Sequence, residues 1–422
     1  MPVFRRQRSA RLTRETALAR LAASITRSRT ASMARIRASQ RAILRNRALF
    51  AGIVVASLGV LALVGEPFAK SHLQAAAVLK LVSGQPIPRP LAALVAEPIV
   101  TEDISIPTPE GRIRARTYTP VKHPNAPALV VLHGVHHLGM DEPRLMSFAA
   151  AMASCGLRVL TPELPDIKDY HVDSSSIRVI GDSALWFAAK TGGPVGVMGL
   201  SFSGGLSLLA AADPHFRPAF KFVFAVGSQG SMDRVFRYYG TNTDRRPDGS
   251  TETLTAHEYG PLVLEYDYLE DFVPVSDLGP IRAVLRAHLY EDKTAEAAAL
   301  AQLTPAQSVE ALHLIDSALP ATRALLAKAE ARHIAELEGL SPGPRLGSLT
   351  TPVYLLHGEA DNIIPSAETL WMASELPHQT LQAALISPVL SHLDFGESKP
   401  GLLDQWRLIH FFALVLHAAE QR

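Results

Sequence analysis

Val195-Gly196-Val197-Met198-Gly199-Leu200-Ser201-Phe202-Ser203-Gly204-Gly205 reads as an apolar strand that turns sharply into a helix, with a serine at the apex. A residue held at such a turn takes strained backbone angles, so its neighbours two positions away must be small for strand and helix to pass closely. Gly199 and Ser203 meet that need. The usual pattern is G-x-S-x-G; here serine replaces the last glycine, with Gly204 and Gly205 directly behind it. Ser201 is therefore a candidate nucleophile.

Two later segments add the groups that a serine nucleophile requires. Pro352-Val-Tyr-Leu-Leu-His357-Gly358-Glu359-Ala360-Asp361 is an apolar strand ending in a loop with an acid, and Ile386-Ser-Pro-Val-Leu-Ser391-His392-Leu393-Asp394 is a short extended run reaching a histidine. Serine, acid and histidine in that chain order, each just after a strand, resemble the α/β-hydrolase superfamily over roughly residues 100 to 422. The resemblance implies Ser201 as nucleophile, Asp361 as acid and His392 as base. Ala128-Leu-Val-Val-Leu-His133-Gly134-Val135 agrees with it: a strand, then the His-Gly turn that in this superfamily leads into half of an oxyanion hole. The backbone N–H groups of Val135 and Phe202 are the candidate donors.

Each assignment has a rival. Ser203 is a second nucleophile candidate, but choosing it moves the apex into the helix start. Asp233, beyond the strand Phe222–Val226, is a second acid, and Asp361 sits in the better-matched motif. His133, His136 and His137 invite a zinc reading, yet no carboxylate or thiolate completes a known ligand spacing nearby. No metal and no cofactor is expected. Asp141 and Glu142 suit a helix start. Cys155, the only cysteine, excludes an internal disulfide framework and reads as a small buried hydrophobe. A serine at the apex also separates this chain from relatives that use aspartate or cysteine there.

Charge is unevenly placed. Residues 1–47 carry 13 arginines and one acid, Glu15, a local charge of +12, so with +1 overall the remainder carries −11. Ala48 to Gly65 follows as eighteen uncharged residues. At 1.5 Å per residue a helix there is about 27 Å long, close to the roughly 30 Å of a hydrocarbon core. The reading is a transmembrane anchor at 48–65, with the arginine arm on the cytoplasmic side and the catalytic domain outside, periplasmic in a bacterium. The topology accounts for the arginines, so no nucleic-acid partner is expected. Met33 is an alternative start that leaves the span intact.

With 47% apolar and 19% charged residues the rest can bury one large core. Residues 66–100, with Pro86-Ile87-Pro88-Arg89-Pro90, read as a tether or a segment that hugs the surface. Period-two runs around Pro109-Glu110-Gly111 predict an antiparallel hairpin, and strands then alternate with helices at 143–154 and 175–191. That alternation predicts an α/β fold with a mostly parallel sheet covered by helices on both faces. The hydrolase core spans 101–230 and 346–422. Residues 231–345, rich in Ala, Leu, Glu and Arg, form a helical cap over the site, with Thr304-Pro305-Ala306-Gln307 as one helix start. Phe236, Tyr238 and Tyr239 line the pocket or pack under this cap. The expected activity is that of a carboxylesterase- or lipase-like serine hydrolase on a small acyl substrate; acyltransfer, amide or thioester cleavage, and a silent hydrolase-like scaffold are the alternatives.

Overall fold

The computed structural model describes Gly65, residues 67–390 and residues 401–421. The arm 1–47, all of the apolar run 48–65 but Gly65, and His392 lie outside the described residues. Among the described residues no helix is long and apolar enough to cross a membrane. The sheet with all its helices belongs to one compact unit, Phe68–Arg422.

Helical turns over 68–82 (α1) and the short α2 (Arg89–Val95) precede the sheet. β1 (Ile99–Thr108) and β2 (Gly111–Pro120) form the expected hairpin, closing on the Thr108–Gly111 pair. The chain continues through β3 (Ala128–Leu132), α3 (Pro143–Ser154), β4 (Arg158–Pro162), α4 (Pro165–Lys168) and α5 (Ser175–Thr191). β5 (Val195–Leu200), α6 (Phe202–Ala212) and β6 (Phe220–Val226) follow. It then leaves the sheet for α7 (Met232–Thr241), a hairpin of β7 (Thr243–Arg245) and β8 (Thr251–Thr253), α8 (Tyr259–Asp267) and α9 (Leu278–Leu289). α10 (Lys293–Leu300), α11 (Pro305–Ile315), α12 (Pro320–Gly339) and α13 (Gly343–Leu346) complete that excursion. β9 (Val353–Gly358), α14 (Ala367–Glu375), β10 (Leu381–Ser387) and α15 (Leu402–Glu420) end the fold.

The eight-stranded sheet has the order β1-β2-β4-β3-β5-β6-β9-β10. Only the β1–β2 and β2–β4 pairs are antiparallel. The interior strands are near-continuous apolar runs because both of their faces are covered. Successive side chains point to opposite faces. Accordingly Val130 and Leu132 join a core with α5 and α6, whereas Leu129 and Val131 join a core with α1, α3 and α15. After β3 the chain builds β4 on one side and β5 on the other. Such a reversal opens a crevice at the carboxyl ends of the flanking strands.

Three features differ from or sharpen the sequence reading. Part of the expected tether is core: Ala75, Ala77 and Val78 of α1 are fully buried, because a helix with small apolar residues fits closely against a sheet face. The last strand ends at Ser387, earlier than the extended run expected to reach His392. Pro388 has no N–H to continue a ladder, and the chain turns there, with the Leu390 N–H donating to the Ser387 carbonyl at 3.3 Å. The insert between β6 and β9 is mainly helical, with the small β7–β8 hairpin added. α11 starts at the foreseen capping box, in which the Gln307 N–H donates to Thr304 Oγ1 and the Thr304 N–H to Gln307 Oε1.

A buried carboxylate ties the insert to the sheet. Glu368 of α14, 1% exposed, accepts the N–H groups of Gly230 and Ser231 at 2.8 Å each, just ahead of α7. It also accepts Nε and Nη2 of Arg234 at 2.6 and 3.1 Å. The Arg234 guanidinium in turn lies over the Trp371 ring, 4.9 Å from its centre. Replacing Glu368 by Ala strands one buried and one partly buried N–H group and a partly buried guanidinium. We expect a loss of about 2 to 4 kcal/mol in urea unfolding, with Glu368→Gln losing clearly less.

Candidate active site

Ser201 stands between β5 and α6 with φ 56° and ψ −134°, one of the few non-glycine residues with positive φ. Neighbouring groups hold it there: its N–H donates to the Val226 carbonyl at 2.8 Å and its own carbonyl accepts the Gly204 N–H at 3.0 Å. The two flanking glycines have no room for a side chain. A Cβ on Gly199 would meet Gly204 Cα at 2.5 Å, and one on Gly204 would meet Ser228 Oγ at 1.9 Å. The crowded position is thus Gly204, one residue beyond the motif's usual glycine. Serine is accepted at 203 because its hydroxyl turns away and donates to the His133 carbonyl at 2.5 Å. Ser203 is fully buried and committed to that bond, which leaves Ser201 as the nucleophile candidate of the pair.

With that turn and this strand order together, the architecture is defined. The fold is the α/β-hydrolase fold. No protein-family model matches the chain, and no curated protein matches it by sequence. Solved structures with distant likeness include a candidate lipase from Acinetobacter baumannii, 15% identical, TM-score 0.42, matched over 75% of this chain and 92% of that one. Another is the 2-hydroxy-6-oxo-6-phenylhexa-2,4-dienoate hydrolase of a Rhodococcus strain, 16% identical, TM-score 0.37, over 70% and 93% of the two chains. An acylaminoacyl peptidase of Pyrococcus horikoshii is 12% identical with TM-score 0.42, over 73% of this chain and 41% of that one. The strand order and the turn at Ser201, and not these likenesses, carry the fold assignment.

In this α/β-hydrolase fold the two candidate oxyanion donors are held by the carbonyls of their own peptides. A trans peptide points its N–H opposite to its C=O, so fixing one fixes the other. The Gly134 carbonyl lies 2.8 Å from His133 Nδ1, while His133 Nε2 accepts the Leu164 N–H at 2.9 Å. Those partners require the proton on Nδ1, donating to Gly134. The ring thereby orients the peptide whose N–H belongs to Val135. The Ser201 carbonyl, bonded to Gly204, does the same for Phe202. Among the described residues neither the Val135 nor the Phe202 N–H has a backbone acceptor. Tyr259 of the insert holds the next peptide, its hydroxyl donating to the Val135 carbonyl at 2.7 Å. Nothing in the sequence singles out Tyr259, since its role exists only where the insert meets the β3 loop.

Asp361 follows β9 and is fully buried. Its Oδ1 accepts the N–H groups of Ile363 and Ile364 at 3.0 Å each, and Oδ2 lies 3.3 Å from His357 Nε2. His357, also fully buried, spans Thr369 Oγ1 and the Ile364 carbonyl at 2.8 Å each. It braces the acid's loop from within the motif itself. The rival Asp233 instead faces the insert, pairing with Arg237 at 3.0 Å beside Glu330. His392 lies outside the described residues; the chain approaches it from Leu390, which lines the cavity next to Ser201.

That cavity, about 400 Å³, is walled by His133, Gly134, Val135, Ser201 and Phe202 together with residues of the insert. A larger cleft of about 540 Å³ around Lys70, Glu97 and Glu420 contains none of the candidate site residues. Phe236, Tyr238 and Tyr239 are buried in the core beneath the insert and do not line the cavity. Glu142 caps α3 through the Leu145 N–H at 2.7 Å, and Asp141 pairs with Arg114 and Arg116. His136 stacks on His137, and His137 on Tyr290. Among the described residues no group of three or more His, Cys, Asp or Glu is placed to hold a metal ion. Cys155 is buried, its thiol pushed up to about 11 by that burial.

Two measurements test this geometry. Gly204→Ala drives a methyl group into Ser228 and should cost about 3 kcal/mol in chemical unfolding. His133, lowered by burial from 6.5 to about 4, is neutral in the folded protein. The unfolded chain gains a proton as pH falls below 6.5 while the folded one resists it. This contribution to stability is therefore intact above about pH 6.5 and is lost progressively towards pH 4, by about 3 kcal/mol. Unfolding curves between pH 8 and pH 4 should show that slope, and His133→Gln should flatten it.

Proposed function

We propose that this protein is a serine hydrolase that cleaves a carboxylic ester or related acyl compound through Ser201, His392 and Asp361. The observation that carries this reading is the strained Ser201 backbone, set beside two N–H groups whose directions are fixed, at the wall of a cavity of about 400 Å³. In the proposed reaction His392 removes the Ser201 proton as Oγ attacks the acyl carbon. Asp361 holds the imidazole in the tautomer that accepts there and stabilises the imidazolium that forms. The Val135 and Phe202 N–H groups receive the oxyanion, and because their peptides are already locked, little reorganisation accompanies charge development. The imidazolium proton then passes to the departing alkoxide. Water, activated by the same imidazole, releases the acid and regenerates Ser201.

The full chain is proposed to be held at a membrane by residues 48–65, with its amino end cytoplasmic and the hydrolase unit outside. Support is the uncharged run itself and the arginine excess on one side of it. An acyltransferase or amidase would use the same groups, and an alcohol or amine replacing water in the last step distinguishes them.

A fluorophosphonate probe should label the protein, and Ser201→Ala should abolish labelling and lower kcat/KM on activated esters by up to about 10⁶. Asp361→Asn should retain labelling but lose on the order of 10⁴ in turnover. Labelling that survives in Ser201→Ala sinks the assignment of the nucleophile. Removing residues 1–65 should move the protein from the membrane pellet to the soluble fraction; a deleted form that still pellets overturns the anchor.

A further inference from the structure

The walls of the cavity beside Ser201 come from two different packing clusters. One wall is formed by Leu79 and Val82 of α1, Leu145 and Phe148 of α3, and Phe412 of α15, all of which belong to or pack against the core under those three helices. None of these five side chains offers a hydrogen bond or a charge. Leu145 and Phe412 are buried, whereas Leu79, Val82 and Phe148 are only half-buried and leave apolar surface available to the cavity. Glu142 and Arg144 at the start of α3 also line the cavity, and the insert adds polar His257, Tyr259 and Glu291 together with apolar Val263 and Leu289. Ser201, Val135 and Phe202 line the same cavity.

An apolar surface beside a serine nucleophile favours substrates with an apolar tail. The carbonyl must reach Ser201 and the amide donors. A hydrocarbon tail gains by leaving water for the first wall, and a polar leaving group would lose its hydrogen bonds there. The half-buried α1 residues stand out because α1 precedes the whole sheet and is held by its own buried face, Ala75, Ala77 and Val78. A segment packed that firmly presents Leu79 and Val82 as a rigid surface.

We propose that Leu79 and Val82 form the tail-binding wall of this site, so that the preferred substrates carry an unbranched aliphatic acyl chain. The proposal rests on the serine hydrolase reading and adds the substrate class to it.

The test uses the full chain in bilayer vesicles with p-nitrophenyl esters from acetate to octanoate. kcat/KM should rise with tail length, by up to about fourfold for each methylene buried. Val82→Trp and Leu79→Trp fill the wall and should lower the octanoate-to-acetate ratio at least tenfold. Should a tryptophan variant fail to fold, Val82→Ala and Leu79→Ala, which remove apolar contact without adding bulk, should lower the same ratio about threefold. Labelling by diisopropyl fluorophosphate, a probe with no long tail, reports Ser201 separately. A labelled protein whose ester profile is flat, or whose ratio is unmoved in all four variants, overturns the tail wall and leaves the hydrolase reading standing. A protein that neither labels nor turns over any ester overturns both.

Discussion

One close approach governs this structure: the passage of α6 against β5 at Gly199 and Gly204, with Ser228 of the following loop on the other side. No β-carbon fits at either glycine, and the backbone between them is forced to positive φ at Ser201. Such a conformation costs of order 1 to 3 kcal/mol and persists only where surrounding contacts determine it. Here the surroundings are the buried core strands β5 and β6 and the wholly buried helix face behind Ser201. The local strain is offset by packing that extends far from it, and the result is a hydroxyl lifted out of the sheet toward the cavity.

The same logic runs through the polar groups around that hydroxyl. His133 is buried, its pKa lowered to about 4 by the loss of water, and its neutral ring can therefore donate from Nδ1 while accepting at Nε2. An imidazolium would have no acceptor for its second proton, since Leu164 presents an N–H. Burial thus selects a tautomer, the tautomer orients the Gly134 peptide, and the peptide aims the Val135 N–H. Asp361 is treated similarly: two backbone N–H groups and a buried imidazole edge surround its carboxylate. Few of these groups are free to turn, which is what preorganisation requires.

Much of this was legible along the chain because it rests on local rules. The hairpin at Glu110, α3 and α5, and the capping box at Thr304 follow from periodicity and capping chemistry that involve neighbours only a few residues apart. Ser201 and Asp361 were legible because each sits in a tight turn after an apolar strand, where residue type and backbone geometry constrain each other. The role of α1 was hidden, since an alanine-rich helix next to prolines reads like a linker until a sheet face is present to receive it. The end of β10 was misjudged for the same kind of reason: an apolar run looks extended until the missing N–H of Pro388 is set against a ladder.

By itself the sequence determined the order of elements, the turn at residue 201, the acid after β9 and the apolar run with its arginine flank. Those depend on covalent order and short-range sterics. Only the tertiary structure decided that Ser203 is occupied by the His133 carbonyl, that Tyr259 reaches Val135 from the insert, and that Leu79 and Val82 wall the cavity beside Ser201. Each of those contacts joins residues tens to more than a hundred positions apart. Such pairings are set by how the layers stack against the sheet, and no local pattern along the chain encodes them.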